Sequence, residues 1–133
     1  MRPEPHKQSD EGRPEQIELF LAEPRVAILG INRRNGSPQL VPIWYTFEDG
    51  VIWISSGNNQ PKVRNIEVDS RVTLCIDDRK FPYKQVTIYG KAILIHDNVQ
   101  NLRISIAQRY LGESAGLDYI ARSKTEDRVF IKL

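Results

Sequence analysis

The sequence has few of the residues from which metal and disulfide sites are built. Its 133 residues include a single cysteine, Cys75, and two histidines, His6 and His96, that lie far apart in the chain. One cysteine cannot form an internal disulfide, and two isolated histidines do not give the ligand spacing of a structural zinc site. We therefore expect neither a disulfide nor a bound metal.

Long apolar runs and a strong excess of one charge are also missing. No run approaches the ~20 apolar residues of a membrane-spanning helix, and no apolar leader follows the charged start MRPEPHKQSDEGRP. The 19 Lys and Arg against 17 Asp and Glu give a formal net charge of +2, too little for the basic face of a nucleic-acid-binding protein. We expect a cytoplasmic protein that binds neither membranes nor nucleic acids.

The length fits one domain with its own core. Residues 1–14 mix proline, glycine and charge without apolar periodicity, so burial cannot repay the entropy of ordering them. We predict a flexible tail over 1–14 and one domain over 15–133. The segment PEQIELFLAE has a proline suited to a helix start and apolar residues at helical spacing, which predicts a short amphipathic helix.

Most of the remaining chain has the composition of β-strands. The predicted strands are residues 25–33, 39–47, 51–57, 70–77, 84–96 and 127–133. Short links rich in turn formers join the first three, which predicts an antiparallel meander. Gly90 indicates a bulge or a bend at a barrel corner, and a helix opening at Asp97 is expected to end around GESAG. The pattern predicts mainly β structure: a closed or half-closed antiparallel barrel of six strands with short helices outside.

The strand over 51–57 is apolar on both faces, with Val51 and Trp53 on one and Ile52 and Ile54 on the other. Either an outer helix covers the second face, or a partner subunit or apolar ligand does. Dimerisation is therefore one of two expectations for this strand.

The strand over 39–47 contains Pro42, which lacks the N–H of a regular ladder and predicts a sheet edge or a bulge. Trp44 and Tyr45 follow on opposite faces, either as core or dimer contacts or as a platform on which a ring stacks.

The stretch SSGNNQPKVRN over 55–65 combines two hydroxyls, a helix start and two cations. We expect Asn58 or Asn59 to cap a helix whose first turn holds a proline and Lys62. A cation there opposes the helix dipole unless an anion is bound beside it. Together with Arg64 these groups could hold a phosphate, although a solvated basic helix face is the alternative.

No other motif indicates a catalytic side chain. The chain has no Gly-x-Ser-x-Gly elbow, no His-Glu-x-x-His and no complete P-loop. Cys75 alternates with apolar strand neighbours and is expected to be inert, and His96 is expected in a surface turn. We predict no catalytic residue of the protein itself.

Three stretches of the chain resemble the pyridoxamine 5'-phosphate oxidase-like superfamily of split β-barrels. They are FLAEPRVAILGINRRNGSPQLVPIWYTFEDGVIWISSG, PKVRNIEVDSRVTLCIDD and FPYKQVTIYGKAIL, which together span about residues 19–95. The similarity is greatest to small single-domain oxidoreductases that use FMN or the deazaflavin coenzyme F-420. It implies a six-stranded antiparallel split β-barrel with flanking helices, and a homodimer with cofactor sites at the subunit interface.

The resemblance also implies which residues hold the cofactor. They are Lys62, Arg64, Ser55, Ser56, Gly57, Asn65, Pro42, Ile43, Trp44 and Gln85. Lys62 matches the lysine that contacts the cofactor phosphate, and the ring is expected against residues 42–44. Gln85 and the C-terminal helix belong to the regions that a partner chain contributes.

The resemblance leaves FMN and F-420 both open, because each presents a phosphate to the same lysine. The acidic tail of F-420 favours extra cations, for which Arg33, Arg34 and Lys80 are candidates. The implied activity is hydride transfer to or from a small conjugated substrate; the chain ends before the segment that supplies the substrate-binding residues of vitamin B6 oxidases. The alternative is a non-catalytic flavin, haem or tetrapyrrole binder, for which His6 and His96 would be the only histidine ligands.

Overall fold

The structure is a computed structural model that describes residues 14–97, 100–123 and 127–133. The predicted tail over 1–14 lies outside the described residues except for Pro14, which begins the first helix. The described elements are α1 (Pro14–Ala22), β1 (Ala27–Ile31), β2 (Gln39–Ile43), β3 (Thr46–Glu48), β4 (Val51–Gly57), α2 (Pro61–Val68), β5 (Arg71–Asp78), β6 (Lys84–Lys91), β7 (Ile93–Ile95), α3 (Gln100–Leu111), α4 (Glu113–Arg122) and β8 (Arg128–Lys132).

The strands form two antiparallel sheets of four strands each. The first sheet has the order β2-β1-β5-β6, and the second has the order β3-β4-β8-β7. The prediction of mainly antiparallel β structure with short helices is confirmed. The prediction of six strands in one barrel is corrected, because the described residues form eight strands and no ladder joins the two sheets.

Two of the six predicted strands each divide between the sheets. The segment 39–47 breaks at Trp44 and Tyr45, so that β2 pairs with β1 and β3 pairs with β4. The segment 84–96 breaks at Ala92, whose N–H donates to the Ser70 carbonyl at 2.8 Å. The bend predicted at Gly90 therefore falls two residues later. Apolar composition continues across both breaks, which is why the sequence pattern did not reveal them.

The core lies between the two sheets and follows the two-residue period of the strands. In β5, Val72, Leu74 and Ile76 are buried while the residues between them are not, as their alternation predicts. In β4, Ile52 and Ile54 are buried and Val51 and Trp53 are half-buried. Each buried Leu or Ile contributes about 1.5–3 kcal/mol relative to an exposed one.

Helix α1 packs its predicted apolar face on this core, with Leu21 buried. Its C-terminal carbonyls are satisfied from α3, because the Arg109 guanidinium donates to the Leu21, Ala22 and Glu23 carbonyls at 2.8, 2.6 and 2.9 Å. The fully buried Tyr45 donates its hydroxyl to the Leu21 carbonyl at 3.0 Å. The last turn of α1 is thereby fixed to the point where the chain changes sheet.

The helices α3 and α4 form an antiparallel hairpin joined at Gly112. Helix α3 begins at Gln100 rather than at the predicted Asp97, and residues 98–99 lie outside the described residues. The GESAG stretch does end α3, but it also begins α4, a helix that the sequence did not predict. A Cβ on Gly116 would lie 2.6 Å from the backbone of Gln108, so the hairpin depends on glycine there. The longest described helix has 12 residues, and no described helix could cross a membrane.

Candidate functional site

A cavity of about 600 Å³ lies where the two sheets meet the α3–α4 hairpin. One wall is built from the end of β2, the end of β4, the first turn of α2 and the start of β8. The opposite wall is built from α3 and α4. This volume is typical of sites for small molecules and cofactors.

The polar end of the cavity is formed where β4 ends and α2 begins. Gln60 precedes the helix with extended backbone and no side-chain cap, and Pro61 occupies the first turn. The predicted capping by Asn58 or Asn59 is therefore wrong; the Asn58 amide instead donates to the Asp127 carboxylate at 2.8 Å. Because α2 buries Val63 and Ile66 in the protein, its first turn is held beside the cavity.

Lys62 projects from that first turn and is half-buried at the cavity. Within the described part of the chain it makes no hydrogen bond or ion pair. Burial lowers the pKa of Lys62, and the nearby Arg128 guanidinium lowers it further. Both effects disfavour the ammonium form in the absence of an anion.

Arg128 is the second cation at this end of the cavity. It is the first residue of β8, and the β4–β8 ladder places it opposite Gly57. Its guanidinium donates to the Ser55 hydroxyl at 2.8 Å. Two cations and a hydroxyl therefore converge at the end of β4, which is the combination that holds a phosphate.

Another part of the cavity lining, its aromatic end, carries a cluster around Trp44. The Trp44 ring stacks on Tyr110 with centroids 4.9 Å apart and planes 5° from parallel, and Tyr119 approaches it at 5.8 Å with a tilt of 50°. The Tyr110 hydroxyl donates to the Arg25 carbonyl at 2.7 Å and accepts from the Tyr45 N–H at 3.1 Å. Burial, the largest cause, raises the pKa of both Tyr45 and Tyr110. Trp44 thus stands at the cavity on a fixed support, while Tyr45 belongs to the core.

Six of the predicted cofactor-binding residues line this one cavity. They are Pro42, Ile43, Trp44, Ser55, Gly57 and Lys62. Pro42 lies on β2, an edge strand of the first sheet, which confirms the edge alternative for this proline. The structure therefore brings together two segments that are separated in the sequence, 42–44 and 55–62.

Four predicted residues do not line the cavity. Arg64 donates to the Asn58 carbonyl and pairs with Glu67 at 3.1 Å. The remaining three have partners elsewhere: the buried Ser56 hydroxyl donates to the Gly57 carbonyl, the Asn65 amide to the Gln39 side chain, and the Gln85 amide to the Thr87 hydroxyl. Gln85 is exposed on β6.

The candidate cations for an acidic cofactor tail also lie outside the lining of the cavity. Arg33 and Arg34 lie in the connection from β1 to β2, at the far end of that hairpin from Pro42. Lys80 lies in the connection from β5 to β6.

Sequence reasoning missed the contributions of β8, α3 and α4. Arg128 and the cavity-lining residues Arg103, Ile106, Tyr119 and Ile120 were not singled out. Arg128 lies at the start of a correctly predicted strand, but only the pairing of that strand with β4 shows that Arg128 lies at the cavity near Lys62. The α4 residues were missed because small and polar residues were taken to end the helical region.

The described residues contain no group of three His, Cys, Asp or Glu arranged to hold an ion. His96 follows β7 and does not line the cavity, and His6 lies outside the described residues.

Comparison with known proteins gives one family. The profile of the family described as pyridoxamine 5'-phosphate oxidase matches residues 14–133, nearly the whole chain. No curated protein matches the sequence significantly.

Solved structures show the same fold at low sequence identity. A conserved hypothetical protein from Mycobacterium tuberculosis superposes with a TM-score of 0.79 at 22% identity, over 92% of this chain and 79% of that one. An F-420 reductase gives a TM-score of 0.70 at 24% identity, over 86% and 89% of the two chains. A FAD-binding protein from Mesorhizobium loti gives 0.68 at 21% identity, over 91% and 88%.

Proposed function

Because the chain belongs to the pyridoxamine 5'-phosphate oxidase family, we propose that it is an oxidoreductase using FMN or F-420. It would transfer a hydride to or from a small conjugated substrate. The observation that carries this proposal is one cavity with Lys62, Arg128 and Ser55 at a polar end and Trp44 at an aromatic end. The similar structures of an F-420 reductase and a FAD-binding protein support the cofactor class.

The polar end fits the phosphate of either cofactor. An ammonium, a guanidinium and a hydroxyl supply charge-assisted donors, and partial burial strengthens their attraction for an anion. Burial and the neighbouring Arg128 lower the pKa of Lys62, so the ammonium is disfavoured without an anion. A phosphate bound there would restore the ordinary preference of lysine for its charged form.

The aromatic end fits the ring system. Pro42 and Ile43 form an apolar border on edge strand β2, and Trp44 is held in place by its stacking on Tyr110. When bound, the cofactor supplies the hydride chemistry. The protein's own residues anchor the phosphate, orient the ring and exclude water from it, so the function needs no nucleophile or general base of the chain.

We also propose that two copies associate through the outer face of the first sheet. The ladders place Leu40, Gly30, Thr73 and Tyr89 in one row across its four strands. Leu40 and Tyr89 are 68% and 79% exposed and border a groove of about 570 Å³. Large exposed apolar side chains in one row are typical of an interaction surface.

This face is continuous with the cavity. Pro42 follows Leu40 by two residues on β2, so it shares the outer face, and it also lines the cavity. Gln85 pairs with Asp77 and lies on the same face of the sheet as Tyr89. A second copy on this face would therefore approach the open side of the cavity, which is how Gln85 of a partner chain would reach the cofactor.

Titration of the purified 133-residue chain with FMN and with F-420 tests the function. We expect one of them to bind in the micromolar range or tighter, and the reduced form to be consumed by a conjugated acceptor such as menadione. Binding without turnover across quinone and enone acceptors would favour a non-catalytic flavin-binding protein instead. Failure of both cofactors to bind would refute the proposal.

A haem titration separates the remaining alternative. His96 lies outside the cavity, so the described cavity offers no imidazole to iron. We expect no Soret shift typical of histidine ligation. Such a shift, together with failure to bind FMN and F-420, would instead support a tetrapyrrole-binding role.

A further inference from the structure

The α3–α4 wall of the cavity differs in chemistry from the wall that carries the cations. Ile106 and Ala107 of α3 and Ile120 of α4 are buried and line it. Ile106 and Ala107 lie one turn before Tyr110, the residue on which Trp44 stacks. Arg103, the cation on this wall, lies seven residues before Tyr110 on α3, which is about 10 Å along the helix axis. The part of the wall next to Tyr110 and Trp44 is therefore mainly aliphatic, with Arg103 one turn beyond Ile106.

Tyr119 is the one side chain around Trp44 that keeps a polar group available. Tyr45 and Tyr110 both donate their hydroxyls to backbone carbonyls, at 3.0 and 2.7 Å. The Tyr119 hydroxyl makes no hydrogen bond within the residues that the structure describes. Its side chain is 51% exposed and lines the cavity. Trp44 itself contacts Tyr110 and Tyr119, so a ligand would lie in the cavity against the exposed sides of these residues and the neighbouring aliphatic side chains. There it would meet mainly apolar surface, with the Tyr119 hydroxyl as a neutral donor.

The position of Tyr119 is set by close packing of α4 on α3. Gly116, one helical turn earlier, allows α4 to approach the backbone of Gln108. Tyr119 and Ile120 follow on the same face of α4, three and four residues on. The helix contact thus sets where the backbone of Tyr119 lies, and from there its ring reaches Trp44 with centroids 5.8 Å apart.

We propose that Tyr119, with Trp44 and the α3–α4 wall, forms the binding site for the second reactant, a flat and uncharged conjugated carbonyl compound. The Tyr119 hydroxyl donates a hydrogen bond to the carbonyl oxygen, and the aromatic and aliphatic side chains hold the flat ring system. Tyr119 is therefore the specificity-determining residue of the cavity. This inference rests on the proposed function, because only a cofactor-dependent reaction has a second reactant. The binding site itself does not require the cofactor.

Two probes that differ only in their carbonyl groups test the site. Menadione is a flat naphthoquinone, and 2-methylnaphthalene has the same carbon skeleton without the carbonyls. Their dissociation constants are measured by calorimetry on the full-length chain, with and without bound cofactor. The variants are Tyr119→Phe, which removes the hydroxyl alone, and Tyr119→Ala, which removes the ring. Tyr83→Phe and Tyr83→Ala are the matched controls, because Tyr83 is 73% exposed in the β5–β6 connection and does not line the cavity.

We expect Tyr119→Phe to weaken menadione binding about fivefold and to leave 2-methylnaphthalene unchanged, since only one neutral hydrogen bond is lost. Tyr119→Ala weakens both probes about tenfold or more, because the ring contact is lost as well. The Tyr83 variants bind both probes as the unsubstituted chain does. Circular dichroism of each variant confirms that it is folded.

Unchanged menadione binding in both Tyr119 variants would overturn the inference, as would equal losses for the two probes in Tyr119→Phe. Cofactor affinity is measured in the same variants, because Tyr119 contacts Trp44. A loss of cofactor affinity in Tyr119→Phe as large as the loss for menadione would assign the hydroxyl to the cofactor and overturn the inference. If the cofactor does not bind at all, the proposed function fails, yet the comparison of probes on the cofactor-free chain still decides the role of Tyr119.

Discussion

Lys62 and Arg64 lie two residues apart on α2 and yet stand in different surroundings. Lys62 lines the cavity beside Arg128 and has a lowered pKa. Arg64 is exposed, pairs with Glu67 and donates to the Asn58 carbonyl. The sequence assigned the phosphate contact to Lys62 and included Arg64 among the other cofactor-binding residues, but only Lys62 lines the cavity. The two form a natural pair for testing where the phosphate binds.

We predict that Lys62→Ala raises the dissociation constant of the cofactor about tenfold to 100-fold, because a charge-assisted hydrogen bond contributes about 1.5–3 kcal/mol. Arg64→Ala serves as the matched control and is expected to change it by less than about twofold, since an exposed ion pair contributes little. Fluorescence titration with FMN and F-420 measures both constants. Equal losses in the two variants would place the phosphate over the helix face rather than in the cavity.

The lowered pKa of Lys62 also predicts a pH dependence of binding. The ammonium attracts the phosphate, so affinity should fall as the pH rises through a value below the ordinary 10.5 of lysine. The folding stability of the cofactor-free chain should instead rise with pH over this range. The buried ammonium costs folded-state stability, and this cost disappears as the group deprotonates. Titrations from pH 7 to 10 check the first effect. Lys62→Arg should bind with no such decline, since guanidinium stays charged; the same decline in that variant would assign the titration to another group.

At the scale of elements, the α3–α4 hairpin shows how a single small residue positions a wall of the cavity. Gly116 is buried, and a Cβ at this position would lie 2.6 Å from both the Cα and the backbone N of Gln108. The neighbour is backbone, so it cannot rotate away as a side chain could. Any larger residue must push the two helices apart.

We predict that Gly116→Ala destabilises the protein by about 1–2 kcal/mol. Alanine gains about 1 kcal/mol of helix propensity over glycine, but overpacking against backbone costs about 1–3 kcal/mol and is expected to prevail. Ser114→Ala, on the exposed first turn of α4, is the control and should be neutral or slightly stabilising. Urea unfolding measures both. A stability of Gly116→Ala at or above that of the unsubstituted chain would show that the hairpin relaxes freely.

Sequence patterns predicted where the helices and strands lie better than which strands pair with one another. The alternation in β5 and the apolar spacing in α1 depend on neighbours within one segment, and both are borne out. The breaks at Trp44 and Ala92 depend on which sheet each half joins, and no local feature encodes this choice. The same limit applies to the cavity, because Lys62 could be singled out from its own helix start whereas Arg128 required the β4–β8 register.

At the scale of the whole molecule, four of the five most exposed large apolar side chains of the described residues lie on the outer face of the first sheet or on the nearby β5–β6 connection. Leu40 and Tyr89 lie on that face, and Phe81 and Tyr83 on the connection are 84% and 73% exposed. The sequence directed the expectation of dimerisation to strand β4, whose outer residues Val51 and Trp53 are only half-buried. The outer apolar residues of the first sheet are more exposed than those of β4, so we propose the first sheet as the interface.

We predict that the full-length chain is a dimer in solution and that Leu40→Glu makes it monomeric, because a buried, unpaired carboxylate at an apolar interface is strongly unfavourable. Leu19→Glu is the matched control, since Leu19 is 70% exposed on α1, away from the first sheet, and this variant should remain dimeric. Light scattering at micromolar concentration gives the mass of each. If the proposed Gln85 contact crosses the interface, Leu40→Glu also weakens cofactor binding while Leu19→Glu does not. A monomeric unsubstituted chain, or a dimeric Leu40→Glu, would place the interface elsewhere or remove it.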